Sequence, residues 1–288
     1  MTASLIAALS LRPPSRQEEG QDGSIEARMS TRKDRSTRPN AVHPRMLVDT
    51  GLDDLRSRDL RLEAQARFPD EEIYNYGTGG YSTYQSLLLL ERLLSSPGRP
   101  PHTVIYGFAH FDEDRNVAGW YWLKLLSKFS HRGHVEVPSS DLDPTTGLLR
   151  RHAPAAYPSW PLKRSLASVV VAEETFVRLQ TRSRISQRRA VPEQLLLEMS
   201  RVCREKGVRF LVALLAQEAG ANDYRGFFQR SGLQYVECLH SKYGTPEFTA
   251  VRDGHPNELM NQFWADRIEK AVSEQQCSHA GFSMRITR

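Results

Sequence analysis

The run Thr103-Val104-Ile105-Tyr106-Gly107-Phe108 constrains this chain more than any other stretch. It carries apolar side chains at successive positions rather than at alternate ones, which is the pattern of a strand covered on both faces. Comparable runs occupy 208–215 and 233–238, with a shorter one at 72–75. Helical periodicities separate them, at 82–95, 115–129, 162–180, 192–206, 222–230 and 257–273, and another precedes them at 52–67. Strands that alternate with helices build a largely parallel sheet with helices on both sides. The expected class is therefore α/β. Breakers mark the joints: Pro97-Gly98 ends the second helix, and Gly207 ends the one before strand 208–215.

With 288 residues, the chain has room for one medium α/β domain and tails. The domain is expected over 46–273, with an insertion rich in Pro, Ser, Asp and Gly at about 131–161. Residues 1–45 are rich in Arg, Ser, Pro and Gln and read as a disordered basic tail, and 274–288 read as a second tail. The formal charge is +5, with Arg runs at 28–45 and 178–189. No nucleic-acid-binding signature accompanies those runs, so they are expected to be solvated and no nucleic-acid partner is expected. Cys203, Cys238 and Cys277 lack metal or redox spacing, and the first two are expected to be core thiols. His131 and His134 stand three apart with no further ligands, so no metal site is expected. Residues 4–11 are mildly apolar but follow no basic n-region, and no stretch reaches the length of a membrane span. A cytoplasmic protein is the expectation, with the oligomeric state left open.

Two segments carry chemistry. Asn75-Tyr76-Gly77-Thr78-Gly79-Gly80-Tyr81-Ser82-Thr83-Tyr84-Gln85 lies between a short strand and the apolar helical stretch 87–94. A Gly-rich strand-to-helix turn can point backbone N–H groups at an anion. Asp253-Gly254-His255-Pro256-Asn257 places a carboxylate two residues before an imidazole, just ahead of a helix. An acid so placed can orient a His that acts as general base.

In this order and spacing the two segments, with strand 103–108 and Glu113-Asp114-Arg115-Asn116, resemble the SGNH hydrolases, the GDSL esterase/lipase family. The resemblance covers roughly residues 50–272. It implies a three-layer α/β/α sandwich with a mostly parallel, flavodoxin-like sheet and hydrolysis of an ester or acetyl group without a cofactor. His255 would be the general base, Asp253 its supporting acid and Gly80 an oxyanion donor. The family's Gly-Asp-Ser nucleophile block is absent from the chain. Val48-Asp49-Thr50 is the nearest approach, with Thr50 in the nucleophile's place. The family's central first strand would have to come from 44–49 or be missing. No Asn follows strand 103–108 at the family's position, and Asn116 stands several residues later; His110 and Asp112 are further polar groups there. The resemblance thus implies a weakened or inactive ester hydrolase on a small-molecule or glycan ester. Two alternatives stay open, a non-catalytic binding domain of the same fold and a glycan O-acyltransferase. The aromatic load of Trp120, Tyr121 and Trp122 suits either an acyl or glycan pocket or a buried helix face.

Overall fold

The computed structural model describes residues 3–11, 67, 71–110, 113–129, 135–215, 221–250 and 255–283. Strands β1 (Ala3–Leu11), β2 (Glu71–Asn75), β3 (Thr78–Gly79), β4 (Thr103–Phe108), β7 (Arg209–Leu214) and β8 (Tyr235–Glu237) form one sheet. Strands β5 (Val137–Leu142) and β6 (Leu149–Ala155) form a separate antiparallel hairpin within the stretch read as an insertion. The helices are α1 (Thr83–Ser95), α2 (Glu113–Asn116), α3 (Trp120–Phe129), α4 (Ala167–Ser186), α5 (Ala190–Glu205), α6 (Ala221–Ser231) and α7 (Glu258–Ser283). The chain is of the α/β class.

The main sheet runs in the order β2-β1-β4-β7-β8, with β3 beside β1. Strands β4, β7 and β8 are mutually parallel, with Thr103 to Phe108 facing Arg209 to Leu214 in register. The place between β2 and β4, expected for 44–49, is taken by β1 from the start of the chain. β1 is antiparallel to both neighbours, pairing Ala7 with Asn75 on one side and with Ile105 on the other. Two reversals leave β2 pointing the same way as β4. The sheet thus has a central strand, but of another origin and direction than expected. Residues 44–49 lie outside the described residues.

Period-two alternation sorts the strand side chains between two apolar clusters. Val104, Tyr106 and Phe108 of β4 and Phe210, Val212 and Leu214 of β7 meet Leu87, Leu90 and Leu94 of α1, Leu195, Leu196 and Met199 of α5, and Tyr224 and Phe228 of α6. Ile105 of β4 and Leu211 and Ala213 of β7 point the other way. They meet Ile73 of β2 and Met260, Trp264 and Val272 of α7. Full burial of a Leu or Phe stabilises by about 1.5–3 kcal/mol. These clusters therefore fix both the sheet and the helices that cover it. Cys203 and Cys238 are free, buried core thiols, each pushed up to about 12 by burial.

Boundaries shift where local chemistry intervenes. The single helix expected over 115–129 is two, α2 and α3. They are divided where Ala118 adopts a φ of 44° and Gly119 donates its N–H to the Asp114 carbonyl at 3.0 Å. The helix expected from 162 begins at Ala167, because Leu162 is left-handed with φ 65°. α7 continues past the expected 273 to Ser283.

Candidate oxyanion site

The Gly-rich turn is fixed by its own polar side chains. Asn75 Oδ1 accepts from the Gly77 N–H at 2.8 Å, so that donor is already used. Tyr81 N–H donates to the Thr78 carbonyl at 3.2 Å, closing a turn in which Gly80 has φ +80°. A third turn position with such a φ favours Gly. Ser82 then caps α1: its hydroxyl accepts from the Gln85 N–H at 3.2 Å, and Gln85 Oε1 accepts from the Ser82 N–H at 3.1 Å. This capping box holds the first turn of α1 and the glycine before it in one geometry.

Asn116 joins this turn from another element. It is 1% exposed, and its Oδ1 accepts from the Tyr84 N–H at 2.9 Å, thirty-two residues away in sequence. Only the carbonyl end of the amide can accept from an N–H, so this bond settles which way the amide faces. The opposite end, Nδ2, is a buried donor with no acceptor among the described residues. Trp122 of α3 approaches the turn itself, with its Cη2 3.9 Å from where a Cβ on Gly80 would lie. Its indole Nε1 is likewise buried without an acceptor among the described residues. The guanidinium of Arg115, itself 9% exposed, lies 4.5 Å from the Trp122 ring centroid in a cation–π contact. Asn116 thus docks on the first turn of α1 and the Trp122 ring meets Gly80, and each of these two side chains holds a buried donor unsatisfied among the described residues. A buried donor left unpaired costs about 1–3 kcal/mol. A ligand oxygen carrying partial or full negative charge relieves that cost, which is the chemistry of an oxyanion hole.

His110 follows β4 at the carboxyl end of the sheet. Burial pushes its imidazole below the ordinary range; the nearby Glu113 charge opposes that shift and Arg189 adds to it. Glu113 Oε1 accepts from Tyr224 Oη at 2.7 Å, tying α2 to α6. Burial, then the Glu113 charge, drives the Tyr224 phenol far upward, so it remains a donor.

His255 stands three residues before α7, as expected for a residue at a helix entrance. Its carbonyl accepts from the Ala250 N–H at 2.7 Å, and Pro256 bridges Thr249. Asn257 locks the segment by donating Nδ2 to the Glu247 carbonyl at 2.7 Å and accepting at Oδ1 from the Met260 N–H at 3.3 Å. The His backbone is therefore held by residues 247–250 and by the cap of α7. Of the five residues singled out in the sequence, Gly80 stands in the turn that leads into α1, Asn116 bonds the first turn of that helix, and His255 is placed just before α7. Thr50 and Asp253 lie outside the described residues.

Sequence reasoning missed the link between Asn116 and Tyr84, and with it the donor role of Trp122. The signal available was Asn116 and the aromatic run at 120–122, both of which were noted; nothing local tied them to Gly80. It also missed a buried polar cluster on the hairpin. Asp141, 2% exposed, accepts two bonds of 2.8 Å from Arg150, and His152 Nε2 lies 2.9 Å from its Oδ1.

Comparison with family models, with curated proteins and with solved structures gave no match. The site therefore rests on its own geometry and on the motif resemblance.

Proposed function

We propose that this chain is an SGNH-type ester hydrolase domain of three-layer α/β/α architecture. Its Gly80 turn receives the carbonyl oxygen of an ester or acetyl group. The observation that carries this reading is Asn116. Its amide is oriented by the Tyr84 N–H, four residues after Gly80, and its Nδ2 is left buried and unsatisfied among the described residues. In the proposed reaction Thr50 Oγ1 attacks the carbonyl carbon while His255 takes its proton, and Asp253 orients the imidazole. Asn116 Nδ2 and the Gly80 N–H hold the developing oxyanion. His255 then protonates the leaving alcohol, and water repeats the sequence to free the acid. Thr50 carries a methyl group that a serine would not, so turnover is expected to be slow. No Gly-Asp-Ser triplet exists anywhere in the chain, and this favours a second reading in which the same pocket binds an acyl ligand without turnover.

Hydrolysis of 4-nitrophenyl acetate by the purified chain separates the two. The first reading expects weak turnover that Thr50→Ala and His255→Ala each abolish. Asn116→Asp keeps the acceptor for Tyr84 but loses the donor, and should lower kcat by about 10²–10³. The second expects no turnover in any form but calorimetric binding of acetate that Asn116→Asp abolishes. If the unaltered chain neither turns over the ester nor binds acetate, both readings fail.

A further inference from the structure

Helix α4 buries two polar side chains and leaves a row of apolar ones exposed. The side it packs inward carries Glu173, Val177 and Thr181, four residues apart, of which two are polar. Glu173 is 3% exposed and accepts from the Trp160 N–H at 2.7 Å, and Thr181 Oγ1 donates back to the Val177 carbonyl at 2.8 Å. The outward side carries Val171, Ala172, Thr175, Phe176 and Leu179, all exposed, at the spacing i, i+1, i+4, i+5, i+8 of one helix face. Val171 is 64% exposed, Phe176 47% and Leu179 63%. The turn leading into the helix adds Leu162 and Leu166, 63% and 47% exposed. Leu162 is held there at φ 65°, a conformation that a branched side chain adopts at a cost. An isolated exposed leucine needs no explanation; a stripe of five large apolar side chains along one helix and its entrance does.

The charge around this stripe is net positive. Residues 157–182 and α3 carry Lys124, Lys128, Lys163, Arg164, Arg178 and Arg182 against Glu173 and Glu174. Both acids are engaged: Glu173 with Trp160 N–H and with Lys163 at 3.7 Å, and Glu174 with Lys124 and with Arg178 at 3.8 Å. Arg164, Arg178 and Arg182 remain exposed. Arg178 and Arg182 follow Val171 by seven and eleven residues, so they border the apolar face directly. Arg178 also stacks on Trp120 at 4.0 Å, which sets its guanidinium at the rim. An apolar helix face rimmed by cations is the pattern of a helix lying in the plane of an anionic bilayer surface. A second copy of the chain fits less well, because a two-fold contact would bring two faces of like net charge together. No helix among the described residues is long and apolar enough to cross a membrane, so the contact would be interfacial.

We infer that the outer face of α4, with Leu162 and Leu166, docks this protein onto anionic phospholipid surfaces. The inference stands independently of the hydrolase reading. Its test is co-sedimentation of the full chain with vesicles of phosphatidylcholine alone or mixed with phosphatidylglycerol. Binding is expected to the mixed vesicles and not to the neutral ones. The variant Val171→Ser/Phe176→Ser/Leu179→Ser should weaken it at least about tenfold, since it removes the apolar area that the bilayer would cover. Arg178→Glu/Arg182→Glu should weaken it comparably, and circular dichroism should show both variants folded, because none of these side chains is buried. Failure to bind mixed vesicles overturns the inference. So does unchanged binding by the serine variant, which would assign the attraction to basic residues elsewhere. Sedimentation showing a dimer that the serine variant dissolves would overturn it in favour of self-association.

Discussion

Around the sheet, apolar side chains point inward; on α4, Val177 does so too, but a row of others points outward. Leu195, Leu196 and Met199 of α5 are fully buried against β4 and β7, while Val171, Phe176 and Leu179 of α4 stand in solvent. Both helices carry aliphatic residues at helical spacing, so composition alone does not separate them. The difference teaches that an apolar stripe reports a face that seeks cover, and only the fold tells whether the chain itself provides it. Some polar residues show the converse. Glu173, Asp141 and Asn116 are buried, each with a specific partner, and each is a place where packing depends on hydrogen bonds rather than on area.

The contrast predicts a graded series of stability effects. Largest should be Leu195→Ala, which empties a fully buried position and should cost about 2–5 kcal/mol in urea unfolding. Val171→Ser on α4 should cost almost nothing in the same assay. A comparable loss at both sites would mean that α4 is covered in solution, and the contrast would break. Next is Asp141→Asn, which removes the acceptor charge of a buried carboxylate whose partner Arg150 is half exposed; with solvent screening on the arginine side it should cost about 1–2 kcal/mol. Burial alone raises the Asp141 carboxyl, but the bonds from Arg150 and His152 outweigh it and hold the group below the usual carboxylate range. A folded-state pKa depressed in this way gives stability that is present above the unfolded carboxylate range and lost as pH falls through the folded value. Unfolding curves at pH 7 and pH 3 should therefore differ more in the unaltered chain than in Asp141→Asn. An equal acid sensitivity would remove Asp141 from that account.

A smaller loss, about 1 kcal/mol, is expected for Tyr224→Phe, which deletes one hydrogen bond to Glu113 while keeping the ring stacked edge-on to Phe108 at 4.7 Å. Smallest is Arg201→Ala. Arg201 bonds Glu198 and Glu205 on the exposed side of α5, and solvent screens such pairs, so the urea midpoint should not shift measurably. A clear shift there would show that surface ion pairs contribute to this fold as much as its buried ones.

Much of the frame was legible in the residues. The apolar runs at 103–108 and 208–215 became β4 and β7 nearly residue for residue, because a strand buried on both faces has no polar alternate positions. Helix α1 was bounded by Ser82 on one side and Pro97 on the other, and those local signals suffice. The entrance of α7 followed from the Gly-Pro turn that precedes it. The origin of the central strand was not legible. Residues 3–11 are mildly apolar, and no local rule says that they cross to pair with 71–75 and 103–107.

The candidate site divides along the same line. By itself the sequence determined a glycine turn after a strand and a His at the mouth of the last helix, because each is written in spacings of a few residues. Only the tertiary structure decided that Asn116 turns its carbonyl to Tyr84 and its amide away, that Trp122 reaches Gly80, and that the α4 stripe remains uncovered among the described residues. Those outcomes depend on chain crossings between segments tens of residues apart. Periodicity encodes which face of an element seeks burial, but the partner that meets a given polar atom is fixed only when the elements dock.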